Sequence, residues 1–184
     1  MKRHLLRHLV DVKMDTTYAN SDYHLLGEGV ASLTEEFNAE EETEQWINQE
    51  SGSTDIKSYT PSIEVERQDV DQDDTELTEW FEKMIDTLPT GKDAATSYVR
   101  VRLRGSGPTY KATLQPCTVT VGSTGGDAGS NVTDVITLGG RGDKISGTYN
   151  METGKFTPTD ASTLSAAAQS PVKISAKTNS SLSD

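Results

Sequence analysis

The sequence predicts a mainly β, α+β fold: a β-sandwich or barrel core with one flanking amphipathic helix, an N-terminal arm and a long projecting loop. Three observations lead there. Segments rich in Thr, Val, Ile and Tyr recur between turn residues at 109–122, 131–138 and 143–150, the spacing of short strands in a sandwich or barrel. One stretch alone, DDTELTEWFEKMIDTLPTGK, carries a strong helical period. The apolar content is also low: Leu, Ile, Val and Phe supply 35 of 184 residues against a formal net charge of −12, which touches the composition at which chains stay unfolded. Either part of the chain is unstructured, or burial is completed against partner subunits.

The elements follow in chain order. Residues 1–13 mix basic side chains with Leu5, Leu6, Leu9 and Val10, and read as a short helix or an extended arm. Gly27 and Gly29 punctuate a strand running to Phe37. Residues 39–52 are acidic yet contain Trp46 and Ile47. This is a loop that either tucks its aromatic onto its own domain or anchors on another subunit, since Trp is enriched at interface hot spots. Residues 54–67 alternate as two short strands around Pro61, with Ile63 and Val65 on one face and Glu64 and Glu66 on the other. In residues 96–104, Val99, Val101 and Leu103 oppose Arg100, Arg102 and Arg104. Cross-strand pairing of those arginines with Glu64 and Glu66 would neutralise the stripe.

In the helical stretch, Leu77, Trp80, Phe81, Met84, Ile85 and Leu88 form one apolar stripe expected to pack on the β-core. Asp73 reads as its N-cap with Glu76 completing a capping box, and Pro89 with Gly91 stops it. Pro116 suggests that its strand lies at an edge or bulges, and NMETG reads as a hairpin turn. Beyond Phe156 the composition shifts to Ser, Thr and Ala. The expected organisation is therefore a β-domain over residues 1–158 and a C-terminal extension over 159–184, to which Val172 and Ile174 add at most one edge strand.

Charge is the most informative count. Residues 1–13 carry a net +3, residues 14–82 a net −18 and residues 83–184 a net +3. A strongly acidic middle is poorly suited to gripping phosphate, but basic ends and an acidic centre suit self-association. No apolar run approaches the roughly 18 residues of a membrane helix, and the opening apolar stretch is too short for a secretory signal. A lone cysteine, Cys117, excludes an internal disulfide and reads as a buried thiol.

Catalytic and metal motifs fail on inspection. His4 and His8 have i, i+4 spacing without the remainder of a zinc motif. Residues 69–80 begin like a calcium loop, but Asp74 stands where glycine is required and Trp80 where glutamate is. TGKD lacks the glycine and hydroxyl positions of a phosphate loop. GSTGGDAGSN reads as a hairpin loop, and the RGD at 141–143 as a turn. No enzyme activity, cofactor or metal is expected.

Three segments in this order, LLRHLVDVKMD, SYTPSIEVERQDVDQDDTELTEWFEKMIDTLPTGKDAATSYVRVRL and GGDAGSNVTDVITLGGRGDKISGTYNMETGKFTP, resemble major tail (tail tube) proteins of long-tailed, non-contractile bacteriophages over roughly residues 1–158. The resemblance implies a virion structural protein, made in the host cytoplasm. Six copies would form a ring, rings would stack into a hollow tube, and genome DNA would pass through without specific binding. It also implies tape-measure, distal-tail and tail-terminator proteins as partners, and no membrane. Under it, Lys2, Arg3, Arg7, Leu9 and Lys13 of the arm and Trp46 and Ile47 of the loop are expected at contacts between subunits or rings, and Asp127, Asp134 and Asp143 are candidate lumen acids. The alternatives are the inner tube of a contractile tail or type VI secretion system and, from a different class, a monomeric β-sandwich adhesion or carbohydrate-binding module.

Overall fold

A computed structural model describes residues 2–18, 20–48, 50–69 and 74–159. After a 3-10 turn at Arg3–Leu5, the chain forms β1 (Leu6–Asp11), β2 (Tyr23–Leu25), β3 (Val30–Glu36), β4 (Ala39–Glu44), β5 (Ser53–Tyr59), β6 (Ser62–Gln68), α1 (Thr75–Thr87), β7 (Ala95–Arg102), β8 (Thr109–Gly125), β9 (Thr133–Gly140), β10 (Ile145–Asn150) and β11 (Lys155–Pro158). It is mainly β with one helix, as expected. Nine strands make one antiparallel sheet in the order β2-β1-β7-β8-β9-β6-β3, with β10 and β11 branching from β8, while β4 and β5 pair only with each other. The expected extension lies outside the described residues apart from Thr159, as does the edge strand at Val172 and Ile174.

β8 organises the sheet. Along one side it pairs with β7 from Lys111 to Thr118; along the other it pairs first with β10, from Thr109 to Leu114, and then with β9 from Cys117 onward. Pro116 stands where the partner changes. Its carbonyl accepts the Arg141 N–H at 2.8 Å, and its missing N–H faces the gap between the two partner strands. The proline is therefore accommodated in a central strand, not at an edge.

Because neighbouring residues of a strand point to opposite faces, the sheet feeds two cores. Val10, Tyr98, Cys117, Val119, Ile136 and Leu138 join Ile63 and Val65 under the helix. Leu9, Val99, Val101, Ala112 and Leu114 face the other way and are closed off by Ile145 and Tyr149 of β10. Cys117 is a buried free thiol, pushed well above its usual pKa by burial.

Residues 1–13 are thus no free arm. β1 lies between β2 and β7, and both its faces are used, with Leu9 and Val10 buried in different clusters. Leu9 packs in its own chain and is not available as a contact to another subunit.

The arginine–glutamate pairing is also corrected. β6 lies between β9 and β3, so Glu64 faces Thr34 and Thr137 across the ladders, whereas Arg100 lies opposite His8 and Thr113. Arg100 finds Glu35 of β3 instead, at 2.5 Å, and Lys144 reaches the same carboxylate at 3.1 Å. This joins the far end of the strand order back to the middle of the sheet.

Leu77, Trp80, Phe81 and Met84 of α1 are buried, with Trp80 edge-on to Phe81 at 5.2 Å, while Ile85 is half-buried. Leu88 departs from the expected stripe. It is the C-cap in a left-handed conformation, φ 43°, and is 61% exposed, because Pro89 disfavours helical geometry at the residue before it. The N-cap is Asp74, whose carboxylate accepts the Leu77 N–H at 3.1 Å. The cap thus falls one residue after the expected Asp73, which lies outside the described residues, and the third helical position is Leu77 and not the Glu76 of the expected capping box.

Two outcomes follow. Phe81→Ala should cost about 3–5 kcal/mol and Leu88→Ala less than about 0.5 kcal/mol, read by denaturant unfolding. Removing residues 1–13 should abolish folding outright, seen as loss of the β-type circular dichroism signal, because it deletes an interior strand.

Candidate assembly interface

β4 and β5 form a hairpin in which every strand residue is exposed. It springs from the β3–β6 pair, where Asn38, at φ 42°, donates its side-chain N–H to the Thr60 carbonyl at 3.1 Å and to the Ser62 hydroxyl at 3.0 Å. Thr43 and Thr54 meet across the strands at 2.9 Å, Ser58 donates to Glu40 at 2.9 Å, and Lys57 pairs with Glu42. Residues 39–59 hold six acids and one lysine. In the connection between the strands Trp46 is 64% exposed and Ile47 fully so. The expected loop is thus a structured hairpin. A two-stranded sheet in water is marginal alone, and an acidic one carrying an apolar tip is suited to lie on another surface.

Among the other expected contact residues, Lys2 and Arg3 are exposed, and Arg3 donates to the Leu6 carbonyl at 2.9 Å. Arg7 is half-buried. Lys13 is exposed and pairs with Asp22 at 2.6 Å, which raises the lysine pKa and lowers that of the aspartate. Asp127, in the β8–β9 connection, and Asp143, between β9 and β10, are exposed. Asp134 is not a wall acid. It shares the inward face of β9 with Ile136 and Leu138, is 6% exposed, and lies 3.7 Å from the Arg67 guanidinium.

The buried charges were not visible in the sequence. Arg67 is 1% exposed: it donates to Thr78 of α1 at 2.9 Å and covers the Phe81 ring at 4.9 Å, locking the helix to β6. Its signal is parity, since it follows Ile63 and Val65 on the inward face. Asp11 accepts the backbone N–H groups of Lys13, Asp15 and Asp22 at 3.1, 2.9 and 2.7 Å and so fixes the β1–β2 connection. Burial nevertheless raises its pKa. His8 meets the Tyr98 hydroxyl; burial, reinforced by Arg3, lowers its pKa to about 4.

One group of side chains among the described residues brings metal-ligand atoms together. Asp22, His24 and Glu76 place them within 4.8 Å. The Nδ1 of His24 contacts Asp74 at 2.8 Å and its Nε2 lies 3.1 Å from Glu76, while Lys13 already compensates Asp22. These contacts tie β2 to the start of α1.

No protein-family model and no curated protein sequence matches the chain. Solved structures do share the fold. A chain of the tail of an empty gene transfer agent particle, with C6 symmetry, aligns at a TM-score of 0.55 and 10% identity over 79% of this chain and 98% of that one. A chain of the virion of a native gene transfer agent particle aligns at 0.52 and 12% identity over 85% of this chain and 98% of that one. At these identities the likeness is one of fold.

The shift at His8 has a definite sign. Its folded pKa, about 4, lies below the ordinary 6.5, so between these values the unfolded chain takes up a proton that the folded chain refuses. The contribution is complete above pH 6.5 and is lost as pH falls toward 4. Asp11, with a raised pKa, acts in the opposite sense at the acid end. Chemical denaturation across this window should show a shallower loss of stability in His8→Gln than in the unsubstituted protein.

Proposed function

We propose that the chain is the building block of a tail tube in a phage or phage-like virion. Six copies form a ring, and rings stack into the hollow tube of a long, non-contractile tail through which DNA passes. The observation that carries this reading is the shared fold with a chain of a C6-symmetric tail, extending over 98% of that chain. The acidic hairpin supports it, because its wholly exposed strands and apolar tip suit burial in an assembly and not in a monomer.

In this reading Trp46 and Ile47 seat the hairpin tip on a neighbouring subunit. Lys2, Arg3, Arg7 and Lys13 lie at contacts, and Asp127 and Asp143 are the candidates for an anionic wall that repels phosphate and does not retain it. Assembly takes place in the host cytoplasm, and the tube ends meet tape-measure, distal-tail and tail-terminator proteins.

Negative-stain microscopy of the purified protein at rising concentration should show sixfold rings or hollow rods. A protein that stays monomeric throughout would overturn the reading. Trp46→Ala combined with Ile47→Asp should leave the unfolding midpoint unchanged and lower the yield of rods.

A further inference from the structure

The sheet ends in a group of exposed cations. Strand register places Arg102 of β7 directly beside Lys111 of β8. Lys111 is beside Thr148 of β10, and two residues along β10, Asn150 is beside Lys155 of β11. Arg104 is the second residue beyond β7. Between residues 94 and 126 the chain holds three arginines and a lysine and no acid. Arg100 is committed to Glu35. Arg102, Arg104, Lys111 and Lys155 are exposed, and among the described residues none of them forms an ion pair.

Like charges directly opposite on adjacent strands destabilise a sheet, so the Arg102–Lys111 pair works against the fold of an isolated chain. The complementary charge is present on the same polypeptide. The hairpin of residues 39–59 holds six acids and one lysine, and Lys57, on the hairpin itself, is the cation it pairs with.

We propose that Arg102, Arg104, Lys111 and Lys155 form the seat on which the acidic hairpin of a second copy of this chain docks. Each copy then offers one donor hairpin and one acceptor face. Such a contact is heterologous, so it propagates from copy to copy until the geometry closes a ring or extends a filament. The proposal rests on the tail-tube reading and deepens it, by naming the surface that receives the hairpin and by making its attraction electrostatic.

The test uses the full chain in sedimentation velocity and negative-stain microscopy at low and high salt. The unsubstituted protein should assemble, less readily as salt rises. R102E/K111E, with its fold verified by circular dichroism, should require at least about tenfold more protein to assemble. E41K/E44K on the hairpin should show the same loss, and the variant carrying all four substitutions should recover assembly. If the reversed pair does not fold, R102Q/K111Q is read in its place.

Equal assembly by the unsubstituted protein and R102E/K111E would overturn the proposal while leaving the tube reading standing. So would two folded, assembly-defective pairs whose combination does not recover. Binding of a double-stranded oligonucleotide that R102E/K111E abolishes without altering assembly would assign the face to phosphate and overturn the proposal. Failure of the unsubstituted protein to assemble at any concentration would remove both readings, an outcome distinct from the others.

Discussion

The backbone ladder of β8 is the constraint on which the remaining structure depends. Its 17 residues are long enough to hold β7 on one side and two different strands on the other, and their alternation sends Ala112 and Leu114 into one core and Cys117 and Val119 into the other. A chain with few large aliphatic residues thereby fills two small cores from one sheet. Pro116 marks the change of partner, and because a proline has no N–H to offer there, the ladder loses nothing at that point.

Charge holds the ends of this arrangement. Arg67 enters the helix-covered core with Thr78, Asp134 and the Phe81 ring around it, and the stem of a buried arginine contributes packing as well as charge. Glu35 collects Arg100 and Lys144 and ties the last strand of the sheet order to its middle. A buried charge is costly unless paired, so removing one partner of these pairs would leave the other charge buried and uncompensated. Among the described residues, the exposed cations of the β7–β8 end form no ion pair, and the one ion pair of the hairpin acids, Glu42 with Lys57, stays within the hairpin.

That contrast fits the proposed role as a component of an assembly. The core is complete enough to hold a single chain together, and what remains over is polar, charged and directional: a hairpin with an apolar tip on one side and a face of unmatched cations on another. In the proposed assembly these would become contacts and lose their cost to the monomer. Salt, which weakens attraction between exposed charges, would then act on the assembly more than on the Arg67–Asp134 and Arg100–Glu35 pairs, whose side chains are largely covered.

Local chemistry by itself determined the strand-rich second half, the hairpin at Asn150–Lys155, the strands around Pro61 and the helix with Leu77, Trp80, Phe81 and Met84 on its buried face, because two-residue and 3.6-residue periods are written in neighbouring side chains. It also showed the acidic segment with Trp46 and Ile47. Only the tertiary structure decided which strands lie side by side. β1 reads as an arm because six residues with mixed charges look the same whether they end a chain or sit inside a sheet; the partners that bury Leu9 and Val10 come from strands close to a hundred residues away. For the same reason the arginines of β7 were assigned to Glu64 and Glu66 when β6 lies elsewhere in the sheet, and Asp134 read as a surface acid when the parity of β9 turns it toward Arg67. Leu88 fits the helical period but not the backbone geometry that Pro89 imposes. Long-range pairing is chosen by the summed burial of many strands, a quantity that no short stretch of residues contains.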